Sequence, residues 1–217
     1  MVEKLIHIFK GFLGLLFPQK CLGCEAKNVI LCDKCLDSLP EAPIAETRAI
    51  FAATSYQDEI VKKSIRLFKY HGIKILAEPF SALIFKRIVM ALPESMRDVN
   101  KTLIIPIPLS KKRHRERGFN QAELLGYFLS DKMSIRMADN VLYKIKETPS
   151  QVDIRDREKR LRNIIGAFIV KNPELIKDKN IILIDDITTT GATLSEARRI
   201  LKTAGAKKVI GLTVAKG

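Results

Sequence analysis

Residues 181–194 read Ile-Ile-Leu-Ile-Asp-Asp-Ile-Thr-Thr-Thr-Gly-Ala-Thr-Leu, and no other stretch restricts the fold as tightly. Four consecutive apolar residues, ended by turn chemistry and followed by an amphipathic pattern from Leu194 to Ala204, predict a buried strand that feeds a helix. Strands of that kind belong to parallel sheets with helices on both faces. Asp185 and Asp186 then stand at the carboxyl end of the strand, where open α/β sheets bind their ligands. Gly191 lets the backbone turn, and loop amides, threonine hydroxyls and the positive end of the following helix all favour a phosphate. Two acids beside a phosphate can accept hydrogen bonds from sugar hydroxyls or hold a magnesium ion, so the run suits a sugar phosphate. Structural readings compete: Thr193-Leu-Ser-Glu196 has the form of a capping box, and Asp-Asp before a turn is common turn chemistry. Together these leave the threonine run unexplained. Neither a Walker-type loop nor a Gly-x-Gly-x-x-Gly dinucleotide fingerprint is present.

The rest of the chain follows the same architecture. Apolar runs predict strands at Ala49–Ser55, Leu103–Ile107, Ala167–Val170, Ile181–Ile184 and Val209–Val214. Helical spacing joins Ile60, Val61, Ile65 and Phe68, with a stop at Gly72, and predicts further helices over Ile75–Ala91, Gln121–Leu129 and Leu194–Ala204. Strands separated by helices imply crossovers, hence an α/β protein with a mostly parallel sheet. The 217 residues allow one main domain and an appendage.

The appendage is marked by cysteines. Cys21-Leu-Gly-Cys24 and Cys32-Asp-Lys-Cys35 hold all four cysteines of the chain. Two Cys-x-x-Cys hairpins, with Gly23 at a tight turn, bring four thiolates into a tetrahedral set that fits a structural zinc and leaves no position for a catalytic water. Two disulfides suit a reducing cytosol poorly, and buried free thiols would make the spacing a coincidence. Pro40 and Pro43 read as the linker that ends the module, so the expected division is 1–43 and 44–217, the latter split into 44–100 and 101–217.

A net charge of +14 implies an anionic partner. The apolar stretch Leu5–Phe17 has 13 residues, against about 20 for a membrane span, and its flanks do not suit a signal peptide. It reads as a helix that packs on the molecule or a partner, in a cytoplasmic protein without stable membrane insertion. Basic residues cluster in two places: Lys111, Lys112, Arg113, Arg115 and Arg117, and Arg155 to Arg162. Both can meet a pyrophosphate or a nucleic-acid backbone, or can be solvated charge runs. Phe119 is almost the only aromatic within them, so base-stacking platforms are scarce. Asn120 or Gln121 caps the helix that follows.

Asp185 to Thr193 resembles the phosphoribosyl-pyrophosphate (PRPP) motif of type I phosphoribosyltransferases, Asp-Asp-x-x-Thr-Thr-Gly-x-Thr. The segment Pro106-Ile-Pro-Leu-Ser-Lys-Lys-Arg-His-Arg-Glu-Arg-Gly-Phe-Asn-Gln121 resembles that of the ComF competence family, as do the four-cysteine module, Lys69-Tyr-His-Gly72, Thr148-Pro-Ser-Gln151 and Arg162-Asn-Ile-Ile-Gly-Ala-Phe168. This resemblance implies a type I phosphoribosyltransferase-like fold. It assigns the ribose hydroxyls to Asp185 and Asp186 as catalytic residues, and the 5'-phosphate to Thr189, Thr190, Gly191, Ala192 and Thr193. Lys69, Arg113, Arg115 and Arg117 are candidates for pyrophosphate or DNA backbone, Cys21, Cys24, Cys32 and Cys35 for zinc, and magnesium is expected with PRPP. The segment from Lys144 to Arg162 corresponds to the stretch that closes over the site in that superfamily. The implied function is binding of PRPP, single-stranded DNA or both during natural transformation, alongside helicase-type and DNA-processing partners. The alternative is an active magnesium-dependent phosphoribosyltransferase with a nucleobase-like acceptor; a PRPP-responsive module without turnover is a weaker option.

Overall fold

The structure is a computed structural model that describes residues 20–43, 49–147 and 163–217. The apolar stretch Leu5–Phe17, Thr148–Gln151 and the basic stretch Arg155–Arg162 lie outside the described residues.

Among the described residues four strands form a parallel sheet: β1 (Ile50–Ser55), β2 (Thr102–Pro106), β5 (Asn180–Thr188) and β6 (Lys208–Lys216), in the order β1-β6-β5-β2. A short run beside Met137 extends the β2 edge, with Ile104 donating to Arg136 O and Ala138 donating to Ile104 O. The period of two along β5 sorts its side chains. Ile182 and Ile184 enter one apolar cluster with Val61, Ile65 and Phe68 of α2 (Glu59–Tyr70), Phe80 and Ile84 of α3 (Ala77–Arg87) and Leu125 and Leu129 of α6 (Gln121–Met133). Ile181 and Leu183 enter another with Leu194, Ala197 and Leu201 of α7 (Ala192–Thr203). Both faces are therefore covered, as a parallel sheet requires.

Among the smaller elements are α1 (Asp33–Asp37), α4 (Glu94–Arg97), the basic helix α5 (Lys111–Arg117), and two short strands, β3 (Leu142–Lys144) and β4 (Phe168–Val170). The β4 expectation needs correcting: the strand exists, but pairs antiparallel with β3 in a separate two-stranded ribbon. Ile169 and Val170 remain half-buried, whereas a central parallel strand buries both faces. The single helix expected over 75–91 is α3 flanked by 3-10 turns at Lys74–Leu76 and Val89–Ala91. Pro79 falls in its first turn, where no N–H is needed.

Thr193-Leu-Ser-Glu196 is not a capping box. Gly191 is the N-cap of α7 and has no side chain to cap it with. Glu196 instead accepts from the Gly166 N–H at 2.8 Å and binds Arg199 through both oxygens, tying the approach to β4 to α7. The Arg199 hydrogen bond, with help from Gly166, holds its carboxyl below the usual range.

Candidate functional site

The register of the sheet opens the site. β2 runs beside β5 from Thr102↔Asn180 to Pro106↔Ile184, and its last link is Ile107 N–H to Ile184 O. β6 continues alongside β5 to Thr188↔Lys216. Asp185 and Asp186 are thus the first residues of β5 beyond its neighbour, inside the strand rather than after it.

The same alternation sends the two acids to opposite faces. Asp186 lies on the side of α2, where Lys69 meets it at 2.9 Å, and the residue is 5% exposed. Asp185 lies on the side of the β3–β4 ribbon, accepts the Asp186 N–H at 2.8 Å, and is attracted by Lys144. Burial first, then the charge of Asp186, pushes its carboxyl up to about 7 against the pull of Lys69 and Lys144. Burial and the like charge of Arg113 bring the Lys144 ammonium down to about 8, while Asp185 and Glu147 act the other way. In the sequence Lys144 marks only the start of the segment expected to close over the site, and its apolar–cation alternation is too short to single it out.

The loop after β5 carries Thr189 and Thr190, both half-buried, and turns at Gly191 with φ +74°. A Cβ there would approach Ile50 Cδ1 to 3.1 Å, so glycine serves both the left-handed backbone and the close packing. Ala192 N–H reaches Thr190 Oγ1 at 3.4 Å, too long for a strong bond, and the first turn of α7 follows directly on the loop. Thr193 belongs to the same turn.

The four basic candidates have different fates. Lys69 is engaged by Asp186. Arg113 is half-buried beside Lys144. Arg117 donates to Gln121 Oε1 at 3.1 Å and lies against the Tyr70 ring, and Arg115 is exposed. The run forms a helix capped by Ser110, with Glu147 accepting the Lys112 N–H at 3.1 Å. Asn120 caps α6 as expected and also donates to Ile107 O, while Gln121 donates to Phe68 O and Lys69 O, both at 3.4 Å. These two amides brace the end of β2 and the end of α2 around the acids.

Far along the same apolar cluster, the Sγ atoms of Cys21, Cys24, Cys32 and Cys35 lie within 4.8 Å of one another, a set that could hold a metal ion. The first pair is a hairpin, but the second is not: Cys32 is the N-cap of α1 and Cys35 lies within that helix. Gly23 is required by space, since a Cβ would stand 2.7 Å from Cys35 Sγ. Burial pushes the Cys21 thiol up, yet N–H groups of Cys24, Cys32 and Gly23 bring it down to about 6. Hydrogen bonding from Cys24, burial and the other thiols push Cys35 up to about 12. Four sulfurs this close all ionise together only around a cation. Among the described residues no helix is long and apolar enough to cross a membrane.

Residues 122–217 match the phosphoribosyl transferase domain family. The chain is 32% identical over 188 residues to Competence protein ComFC of Bacillus subtilis, covering 85% of this chain and 67% of that one. To Competence protein ComFC of Streptococcus pneumoniae it is 30% identical over 192 residues, covering 88% and 78%. The chain belongs to the ComF family of competence proteins. A further relative, Competence protein F of Haemophilus influenzae, is 32% identical over 124 residues, 53% of each chain, so this chain spans about half the length of that relative. In this ComF-family chain the phosphoribosyl transferase match takes in the acid pair, the threonine loop and α7, while Lys69 and the cysteines fall before it.

Proposed function

We propose that this ComF-family protein binds PRPP at the carboxyl end of β5 and single-stranded DNA on the basic surface beside it, in the cytoplasm, during DNA uptake in natural transformation. The observation that carries the reading is the placement of Asp185 and Asp186 just beyond the end of β2, next to the threonine loop and the first turn of α7. Thr189 to Thr193 supply hydroxyls and amides for the 5'-phosphate, and Asp185 has its face of the strand for the ribose. Because Lys69 engages Asp186, Asp185 is the carboxylate that would help to hold a magnesium ion brought with PRPP. Arg113 and Lys144 supply positive charge on the side where pyrophosphate extends. The cysteine set fits zinc, with Cys21, Cys24, Cys32 and Cys35 as four thiolate ligands of a closed, structural site. The competence names of the relatives support the DNA-uptake role, in which helicase-type and DNA-processing proteins would be the partners.

Calorimetric titration of the zinc-loaded protein with PRPP, with and without magnesium, tests the site. Magnesium-dependent binding, lost in Asp185→Asn and Asp186→Asn variants that keep the parent circular dichroism spectrum, is the expected result. Affinity retained in both variants places PRPP elsewhere. A second reading, turnover, is favoured by the intact pair of acids: an acceptor nucleophile would attack the anomeric carbon as its bond to pyrophosphate breaks. Release of pyrophosphate on addition of free nucleobases would mark it.

A further inference from the structure

Phe119, nearly the lone aromatic of the basic runs in the sequence, is 8% exposed and packs its ring 5.9 Å from that of Phe68, so it is core. Among the described residues an exposed aromatic beside the basic helix is Tyr70, contributed by another element and 61% exposed. Its ring is backed by the Arg117 guanidinium, 5.5 Å from the ring centre. Arg117 is held in turn by Gln121, itself 1% exposed and anchored on Phe68 O and Lys69 O. The braced ring therefore stands next to the residue that meets Asp186.

Tyr70 also ends a stripe on α2. Lys63 and Arg66 are exposed and lie seven and four residues before it, on one helical face. At 1.5 Å per residue they stand about 10 and 6 Å along the axis from Tyr70, a file of cations leading to a flat aromatic surface. Arg115 adds an exposed cation from α5. An aromatic face alone accepts many apolar groups, and cations alone accept any anion. Together in file they match a polymer that alternates flat rings with phosphates.

We propose that Tyr70, backed by Arg117, is a stacking platform for one base of a single DNA strand whose phosphates run along Lys63, Arg66 and Arg115. This rests on the DNA-binding part of the proposed function and gives it a location. The strand binds outside the acid pair, so PRPP and DNA occupy adjoining surfaces. The hydroxyl of Tyr70 has no part in the contact.

The test is fluorescence anisotropy of the full chain with a labelled oligothymidylate and with an abasic deoxyribose-phosphate oligomer of equal length. Tyr70→Leu is expected to weaken binding of oligothymidylate about tenfold and leave the abasic oligomer unchanged. Tyr70→Phe binds both like the parent. Arg66→Ala weakens both oligomers alike and lowers the slope of log affinity against log salt by about one. Tyr70 lies at the surface, so parent-like thermal unfolding is expected for all three variants. If Tyr70→Leu binds oligothymidylate like the parent, or loses affinity for both oligomers alike, the platform is overturned while DNA binding stands. If the parent binds neither oligomer, both this inference and the DNA reading fall, and PRPP binding is unaffected.

Discussion

Lys69 Nζ lies 2.9 Å from Asp186 Oδ1, with side chains 14% and 7% exposed, and this ion pair joins helix α2 to the carboxyl end of β5. One acid of the pair is thereby compensated directly by an ion pair, while Asp185 lies on the opposite face of the strand. Removing one member of a buried pair strands the other charge, which costs more than losing both.

Lys69→Met is therefore expected to destabilise the protein by about 3 kcal/mol in urea unfolding. Lys69→Met combined with Asp186→Asn should recover most of that loss. Equal destabilisation by the single and double variants would show that the pair is not coupled.

Asp185 gives the stability a pH dependence of definite sign. Burial, then the charge of Asp186, raises its carboxyl to about 7, above an unfolded value of about 3.9. The folded state thus binds the proton more tightly, and this contribution is complete below about pH 4 and lost as pH rises through about 7. Asp185→Asn removes it, so the variant should gain stability relative to the parent between pH 5 and pH 8. A constant difference over that range in urea midpoints would contradict the assignment.

Gly191→Ala forces a Cβ onto a backbone at φ +74° and to 3.1 Å from Ile50 Cδ1. A cost of about 1–2 kcal/mol is expected from the left-handed conformation. If the loop holds the 5'-phosphate, PRPP affinity falls as well; unchanged affinity with lowered stability would confine Gly191 to a structural role.

Arg87 fastens the cysteine segment to the sheet. Its guanidinium donates to the carbonyls of Asp37, Leu39, Pro40 and Ala53 at 2.7 to 3.2 Å. Arg87→Met should cost about 2 kcal/mol, and Arg87→Lys should rescue little, because an ammonium lacks the planar fork that spans several carbonyls. Full rescue by lysine in thermal unfolding would reduce the contact to charge alone.

Gly23→Ala crowds Cys35 Sγ while leaving all four thiols in place. If the set holds zinc, the variant should release it faster to a chromogenic chelator than the parent does. Equal release rates would mean that the hairpin relaxes without disturbing the sulfurs.

The local chemistry of this chain is legible where period and punctuation are strong. The apolar run Ile181–Ile184, the spacing of Ile60, Val61, Ile65 and Phe68, and the Asn120 cap each describe interactions within a few residues, and the structure forms β5, α2 and α6 from them. Where two local readings compete, sequence is a weaker guide. Glu196 has the spacing of a capping residue, yet Gly166, thirty positions away, takes its carboxylate. Cys32-Asp-Lys-Cys35 has the spacing of a hairpin, yet begins a helix.

By itself the sequence determined the parallel α/β architecture, the buried strand that carries Asp185 and Asp186, and the gathering of four cysteines. All of these follow from neighbours along the chain, through side-chain period, turn residues and spacing. Only the tertiary structure decided that the acids point to opposite faces and that Lys69 pairs with Asp186. It likewise decided that Phe119 is buried while Tyr70 faces solvent against Arg117, and that β4 leaves the main sheet. Each of those depends on which distant element covers which face, and burial against a distant partner leaves no period in the local sequence.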